Sequence, residues 1–100
     1  MAQLHNPHPG EILKHEFLAE IGMSQNQLGH AIGVPGNRIH AIVNGTRDIT
    51  ADTDLRLCKF FRLSEGYWLR LQNAHDTLAA RRRIAHEVAR LKPYKPEKTA

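Results

Sequence analysis

The sequence predicts an all-α domain of five helices, the last of them extended. Three observations carry this expectation. Apolar residues recur at three- and four-residue spacing, while no stretch alternates polar and apolar side chains for long. Capping residues, glycines and prolines cut that pattern into pieces of helical length. The length of 100 residues and the 41% hydrophobic fraction suit one domain with a single modest core.

Residues 1–8 read as a polar lead. Pro9 suits a first helical turn, where its missing N–H has no partner to lose, and Glu11 follows at the positive end of the helix. Ile12, Leu13, Phe17, Leu18 and Ile21 give the first helix its inner face, and Gly22 ends it. Ser24 caps the second helix, with Gln27 completing a capping box, and Leu28, Ala31 and Ile32 face inward up to Gly33. Val34 fills a turn, Pro35 opens the third helix, Ile39, Ile42 and Val43 point to the core, and Asn44-Gly45 stops it. Thr50 caps the fourth helix, with Asp52 and Asp54 in its first turn and Leu55, Leu57, Cys58, Phe60 and Phe61 as its apolar part. Ser64 is read as the cap of the fifth, whose stripe is Tyr67, Trp68, Leu71, His75 and Leu78 and which runs to about Leu91. Pro93 and Pro96 forbid its continuation. The division is therefore a lead over 1–8, a helical domain over 9–91, and a flexible basic tail over 92–100.

The net charge is +4, with 14 basic and 10 acidic residues. Residues 77–100 hold seven basic side chains and two acids, so that segment is +5 and the rest of the chain is −1. Any basic footprint within residues 1–76 is local. Arg81, Arg82 and Arg83 read as a solvated face or as a helper contact to a polyanion or second protein.

Several function classes are disfavoured. The single cysteine, Cys58, cannot frame a disulfide fold and sits in an apolar helical pattern, where it reads as core. Nothing resembles a secretory signal or a membrane span, so a cytoplasmic protein is expected. Seven histidines are dispersed, and His86-Glu87 lacks the second histidine of a zinc-helix motif, so no metal or cofactor is expected. No nucleophile–base pair or phosphate-cradling loop argues for an enzyme; Ser24 and Ser64 read as caps.

The informative stretch is Met23 to Arg47: a capped short helix, a tight glycine-containing turn, a second short helix, then Asn-Gly. A helix-turn-helix needs this arrangement, because a tight turn sets the second helix steeply enough to enter the major groove. The same pattern also fits a plain helical bundle. On the helix-turn-helix reading, Asn37 and Arg38 lie in the first turn of the recognition helix, where asparagine pairs with adenine and arginine with guanine. His40 and Ala41 sit one turn on; Ala41 suits either a thymine methyl or close packing. Gly36 would let backbone approach DNA.

The blocks HPGEILKHEFL, MSQNQLGHAIGVPGNRIHAIVNGTRDITADTDLRLCKFF and SEGYWLRLQNAHD resemble the successive blocks of HigA-type antitoxins, within the phage-repressor-like helix-turn-helix superfamily. The resemblance covers about residues 8–80. It departs at Gly29, where the family usually has Ala, and at His75, where Tyr is more usual.

The resemblance implies a dimer that binds double-stranded operator DNA, represses its own operon and neutralises a cognate mRNA-cleaving toxin of the HigB type. The alternative is a stand-alone repressor without a toxin. It implies a phosphate contact for Gln25 and a phosphate-binding loop from Asn44, Thr46 and Arg47, Asn44 having a competing role as a helix stop. One recognition helix reads few bases, so a homodimer is expected. Leu57, Phe61, Trp68 and Leu71 of the fourth and fifth helices are its candidate interface, Trp68 reading equally as core. Glu16 and Glu20, four residues apart, form an acidic face that is either solvated or a site for a basic toxin.

Overall fold

The computed structural model describes residues 3–97. Helix α1 covers residues 9–21 in three stretches, Pro9–Ile12, Leu13–Leu18 and Ala19–Ile21. It is succeeded by α2 (Gln25–Ile32), α3 (Gly36–Val43), α4 (Ala51–Phe61) and α5 (Tyr67–Arg90). No strand is present among the described residues, and no described helix is long and apolar enough to cross a membrane.

The His-Pro-Gly-Glu block is explained residue by residue. His8 is the N-cap of α1: its Nδ1 accepts from the Gly10 N–H at 3.0 Å, and the Glu11 carboxylate accepts from the His8 N–H at 3.4 Å. Pro9 takes the first helical position. Gly10 is needed because a Cβ there would lie inside the Ile42 carbonyl; the start of α1 rests directly on the end of α3.

The middle of α1 departs from the regular pattern. Leu13–Leu18 is wound with π-type turns, and the Ala19 N–H bonds the Lys14 carbonyl five residues back. That extra residue per turn buries Leu13 and Leu18 together and rotates the last turn of the helix, so Ile21 is 53% exposed instead of facing the core as expected.

The core gathers Leu13, Leu28, Ile39, Ile42, Leu57 and Trp68 around the crossing of these helices. One more inward assignment fails. Ala31 is exposed because the close approach between α2 and α3 is made at Gly29, whose Cβ would stand 3.0 Å from the Val34 carbonyl. Leu55 lies half exposed on the outer side of α4.

Nor is Ser64 the cap of α5. The N-cap is Gly66, at φ 92°, and the capping oxygens come from Asp54 of α4. Its carboxylate accepts from the N–H groups of Gly66 at 2.7 Å, Trp68 at 2.8 Å and Leu69 at 3.2 Å. The orphan N–H groups of the helix start are thus satisfied by a buried carboxylate fixed on the neighbouring helix.

The polar lead is attached over its described part. Asn6 donates to the His75 carbonyl at 2.9 Å, the His75 ring bonds back to the Asn6 and Pro7 carbonyls, and Arg82 donates to the Leu4 carbonyl. Helix α5 ends at Arg90, and the described residues of the basic tail, 92–97, are exposed and outside any helix; residues 98–100 of that tail lie outside the described residues.

Candidate nucleic-acid interface

Helix α2 is capped as the sequence indicates. Ser24 Oγ accepts from the Gln27 N–H at 3.0 Å, and Gln27 Oε1 accepts from the Ser24 N–H at 2.8 Å. The turn after it passes through Gly33 at φ 75°, a conformation that favours glycine, and Val34 is buried beneath it. Arg56, which sequence reasoning missed, locks this turn from α4: its guanidinium donates to the Ile32 carbonyl at 2.8 Å and the Gly33 carbonyl at 3.3 Å. Those are carbonyls the helix end leaves without partners.

Helix α3 packs against α2 across that turn, and its outer face carries the expected readers. Asn37 and His40 are exposed, and Ala41 is half-buried between them and the core. His40 does not stand alone: its Nε2 lies 3.0 Å from Oδ1 of Asn26 on α2. The same oxygen covers Gly36, where a Cβ would be 2.5 Å away. The space that glycine leaves is thus filled by Asn26, which corrects the expectation that Gly36 opens the backbone to DNA.

Arg38 is engaged elsewhere. Its Nη1 donates to Asp52 Oδ1 at 3.1 Å, and Arg56 Nε donates to the same oxygen at 2.8 Å. The Arg56 guanidinium holds the Asp52 carboxyl below its ordinary pKa, and Arg38 adds to the effect. The guanidinium expected at a guanine edge therefore leans back onto α4. The i, i+4 spacing of Asp52 and Arg56 is legible in the sequence; the third member, 14 residues from Asp52, is not.

Behind α3, Asn44 acts as the helix stop, its N–H bonded to the His40 carbonyl at 2.9 Å. The Thr46 hydroxyl donates to the Ala41 carbonyl at 3.2 Å, alongside the Thr46 and Arg47 N–H groups, and Arg47 is exposed. This loop is anchored by a second residue that sequence reasoning left without a role. Buried Gln72 accepts from the Ile49 N–H at 2.8 Å and donates to Asp48 at 3.3 Å. At the other end, Gln25 opens α2 beside Lys14, Asn26 and His40 along one cleft. Gln25, Asn37, His40, Thr46 and Arg47 are thus placed by α2, α3 and the loop that ends α3.

The remaining assignments separate. Leu57 and Trp68 are fully buried within the single chain and offer no surface to a second copy, which corrects their assignment to a dimer interface. Phe61 and Leu71 are half-buried; Phe61 spends itself on Phe17, at 4.9 Å between ring centres. Glu16 and Glu20 are both exposed, the first inside the π-wound stretch and the second beyond it.

A helix-turn-helix family model matches residues 15–68. Virulence-associated protein I of Dichelobacter nodosus is 46% identical over 69 residues, which make up 69% of this chain and 64% of that protein's length. An addiction module antidote protein of the HigA family from Coxiella burnetii superposes with a TM-score of 0.84 at 43% identity, covering 91% of this chain and 100% of that one. Pseudomonas aeruginosa antitoxin HigA, solved with the higBA promoter, superposes with a TM-score of 0.83 at 32% identity, covering 89% and 98%. With its capped α2, tight turn and exposed α3 matching a helix-turn-helix model, and with these likenesses along nearly its whole length, the chain belongs to the HigA-type antitoxin family of helix-turn-helix regulators.

Proposed function

We propose that this protein binds double-stranded operator DNA as a homodimer, represses its own operon and neutralises a cognate mRNA-cleaving toxin of the HigB type. The observation that carries the reading is the exposed face of α3, with Asn37 and His40 outward, Gln25 at one end and Thr46 and Arg47 at the other. The Pseudomonas aeruginosa relative solved with promoter DNA supports it. Phosphate contacts fall to Gln25, at the free N–H groups of α2, and to Thr46 and Arg47; base edges fall to Asn37, His40 and Ala41. Arg38, held by Asp52, aligns α3 on α4 and adds positive charge beside the groove. The second copy docks on the outer half of α5, where Ile84 and Val88 are exposed four residues apart and Leu91 is exposed just past the helix end.

The toxin reading rests on charge. A ribonuclease that grips RNA carries a basic surface, and α1 presents Glu16 and Glu20 to solvent. The test is co-expression with the small open reading frame beside this gene, scoring growth rescue and co-purification, together with binding to the upstream duplex. Operator affinity falls as salt rises, because bound cations are displaced from the phosphates. Glu16→Lys with Glu20→Lys weakens neutralisation and leaves operator binding intact; full rescue by the folded double variant removes α1 from the toxin site.

A further inference from the structure

The contact between α2 and α3 at Asn26 fixes more than packing. Asn26 Oδ1 lies against the first turn of α3, over Gly36. The unpaired N–H groups of a helix start favour a partial negative charge there, so the carboxamide presents its oxygen, not its amino group. An oxygen accepts only, and it sits 3.0 Å from His40 Nε2. The neutral ring must therefore carry its proton on Nε2, which leaves Nδ1 with a lone pair. His40 is exposed on the face of α3 that the DNA-binding reading turns to the groove, and no described residue bonds its Nδ1.

We propose that Asn26 is a positioning residue that sets the tautomer of His40, so that His40 enters the major groove as a hydrogen-bond acceptor and selects a base bearing an exocyclic amino group. Adenine N6 and cytosine N4 offer such a donor on the major-groove edge; guanine and thymine offer only acceptors there. Lys14 is the other titratable group lining this cleft among the described residues; Arg38, on the same helix, is occupied by Asp52. The inference rests on the operator-binding reading for its consequence, but not for the tautomer itself.

Two measurements test it. In the free protein at about pH 8, well above the ordinary histidine pKa, the ¹⁵N chemical shifts of the His40 ring place the proton on Nε2, and Asn26→Ala gives a tautomer mixture. A proton on Nδ1 overturns the proposal whatever the DNA does. Next, duplexes are selected from a randomised pool at the same pH. The wild type prefers adenine or cytosine at one position per half-site by roughly tenfold, the worth of about one good hydrogen bond. His40→Ala and Asn26→Ala each erase it there and leave the other positions selective, while Asn26→Asp, which still accepts from Nε2, restores it at reduced overall affinity. A guanine preference, or full selectivity in Asn26→Ala, overturns the proposal and leaves operator binding standing. Enrichment of no duplex by the wild type overturns operator binding, and with it the base-reading role alone.

Discussion

Asp54 sits in the first turn of α4, yet its carboxylate serves α5. With 1% of its surface exposed, it accepts three backbone N–H bonds from residues 12 to 15 positions away. Asp54→Ala strands those donors in the interior and should cost about 3 kcal/mol or more in urea unfolding. Asp54→Asn, able to satisfy fewer of them, should fall between. An acid near a helix start was legible in the sequence; which helix it serves was not, because that depends on how α4 and α5 cross. Cys58 shares the site, its thiol 3.4 Å from Asp54 Oδ1 and 3.3 Å from the Ser64 carbonyl. Burial pushes its pKa up, and the bond to Asp54 adds to that. The folded protein should therefore be alkylated at Cys58 more than about a hundredfold slower than the unfolded chain, since reaction waits on opening. Asp52 behaves oppositely. Its lowered pKa means that its contribution is full above the unfolded carboxylate value and is lost as pH falls through the folded one.

At the scale of elements, α1 separates what a pattern can and cannot reveal. Both its ends were readable: Pro9 and Glu11 mark the start and Gly22 the stop, and the helix lies between them. Its register was not, because the periodicity argument assumes 3.6 residues per turn throughout, and the π-wound stretch breaks that assumption in the middle. A regular helix would bury Ile21 along with Leu13 and Phe17. Leu13 and Leu18 are buried as expected, but Ile21 is out, and Phe17 packs on Trp68 at 4.9 Å between ring centres. Leu18→Ala should then cost about 3 kcal/mol, as large cavity-forming substitutions do. Ile21→Ala should cost less than about 1 kcal/mol, as exposed substitutions do. Comparable unfolding midpoints for the two variants would contradict the rotated register. The same reasoning covers the recognition unit. Its caps, turn and helix order came from local chemistry, whereas the Asn26–His40 and Arg38–Asp52 contacts join residues 14 positions apart and depend on tertiary placement.

The described residues measure 63 × 38 × 21 Å, and α5 runs on past the core. A 24-residue helix is about 36 Å long, and only its first part, around Trp68 and Gln72, is buried in the domain. The outer part carries Arg81, Arg82, Arg83 and Arg90 together with Val88, 51% exposed, and Leu91, just past its end, is 71% exposed. An exposed apolar stripe on a projecting helix is poorly suited to solvent but well suited to a two-fold partner, since the same stripe on the second copy covers it. The backbone at Ile84, φ −121° and ψ 22°, bends the helix where that stripe begins. A pair formed there leaves both α3 helices free, as reading two half-sites about 34 Å apart demands. We predict that Val88→Glu with Leu91→Glu yields a folded monomer by light scattering, with the helical signal and the unfolding midpoint nearly unchanged because neither side chain belongs to the core. Operator affinity should fall at least about tenfold, since each copy must then bind its half-site alone. A double variant that remains dimeric would rule out this stripe and leave Phe61 and Leu71 as the expected interface residues not already committed to the core, as Leu57 and Trp68 are.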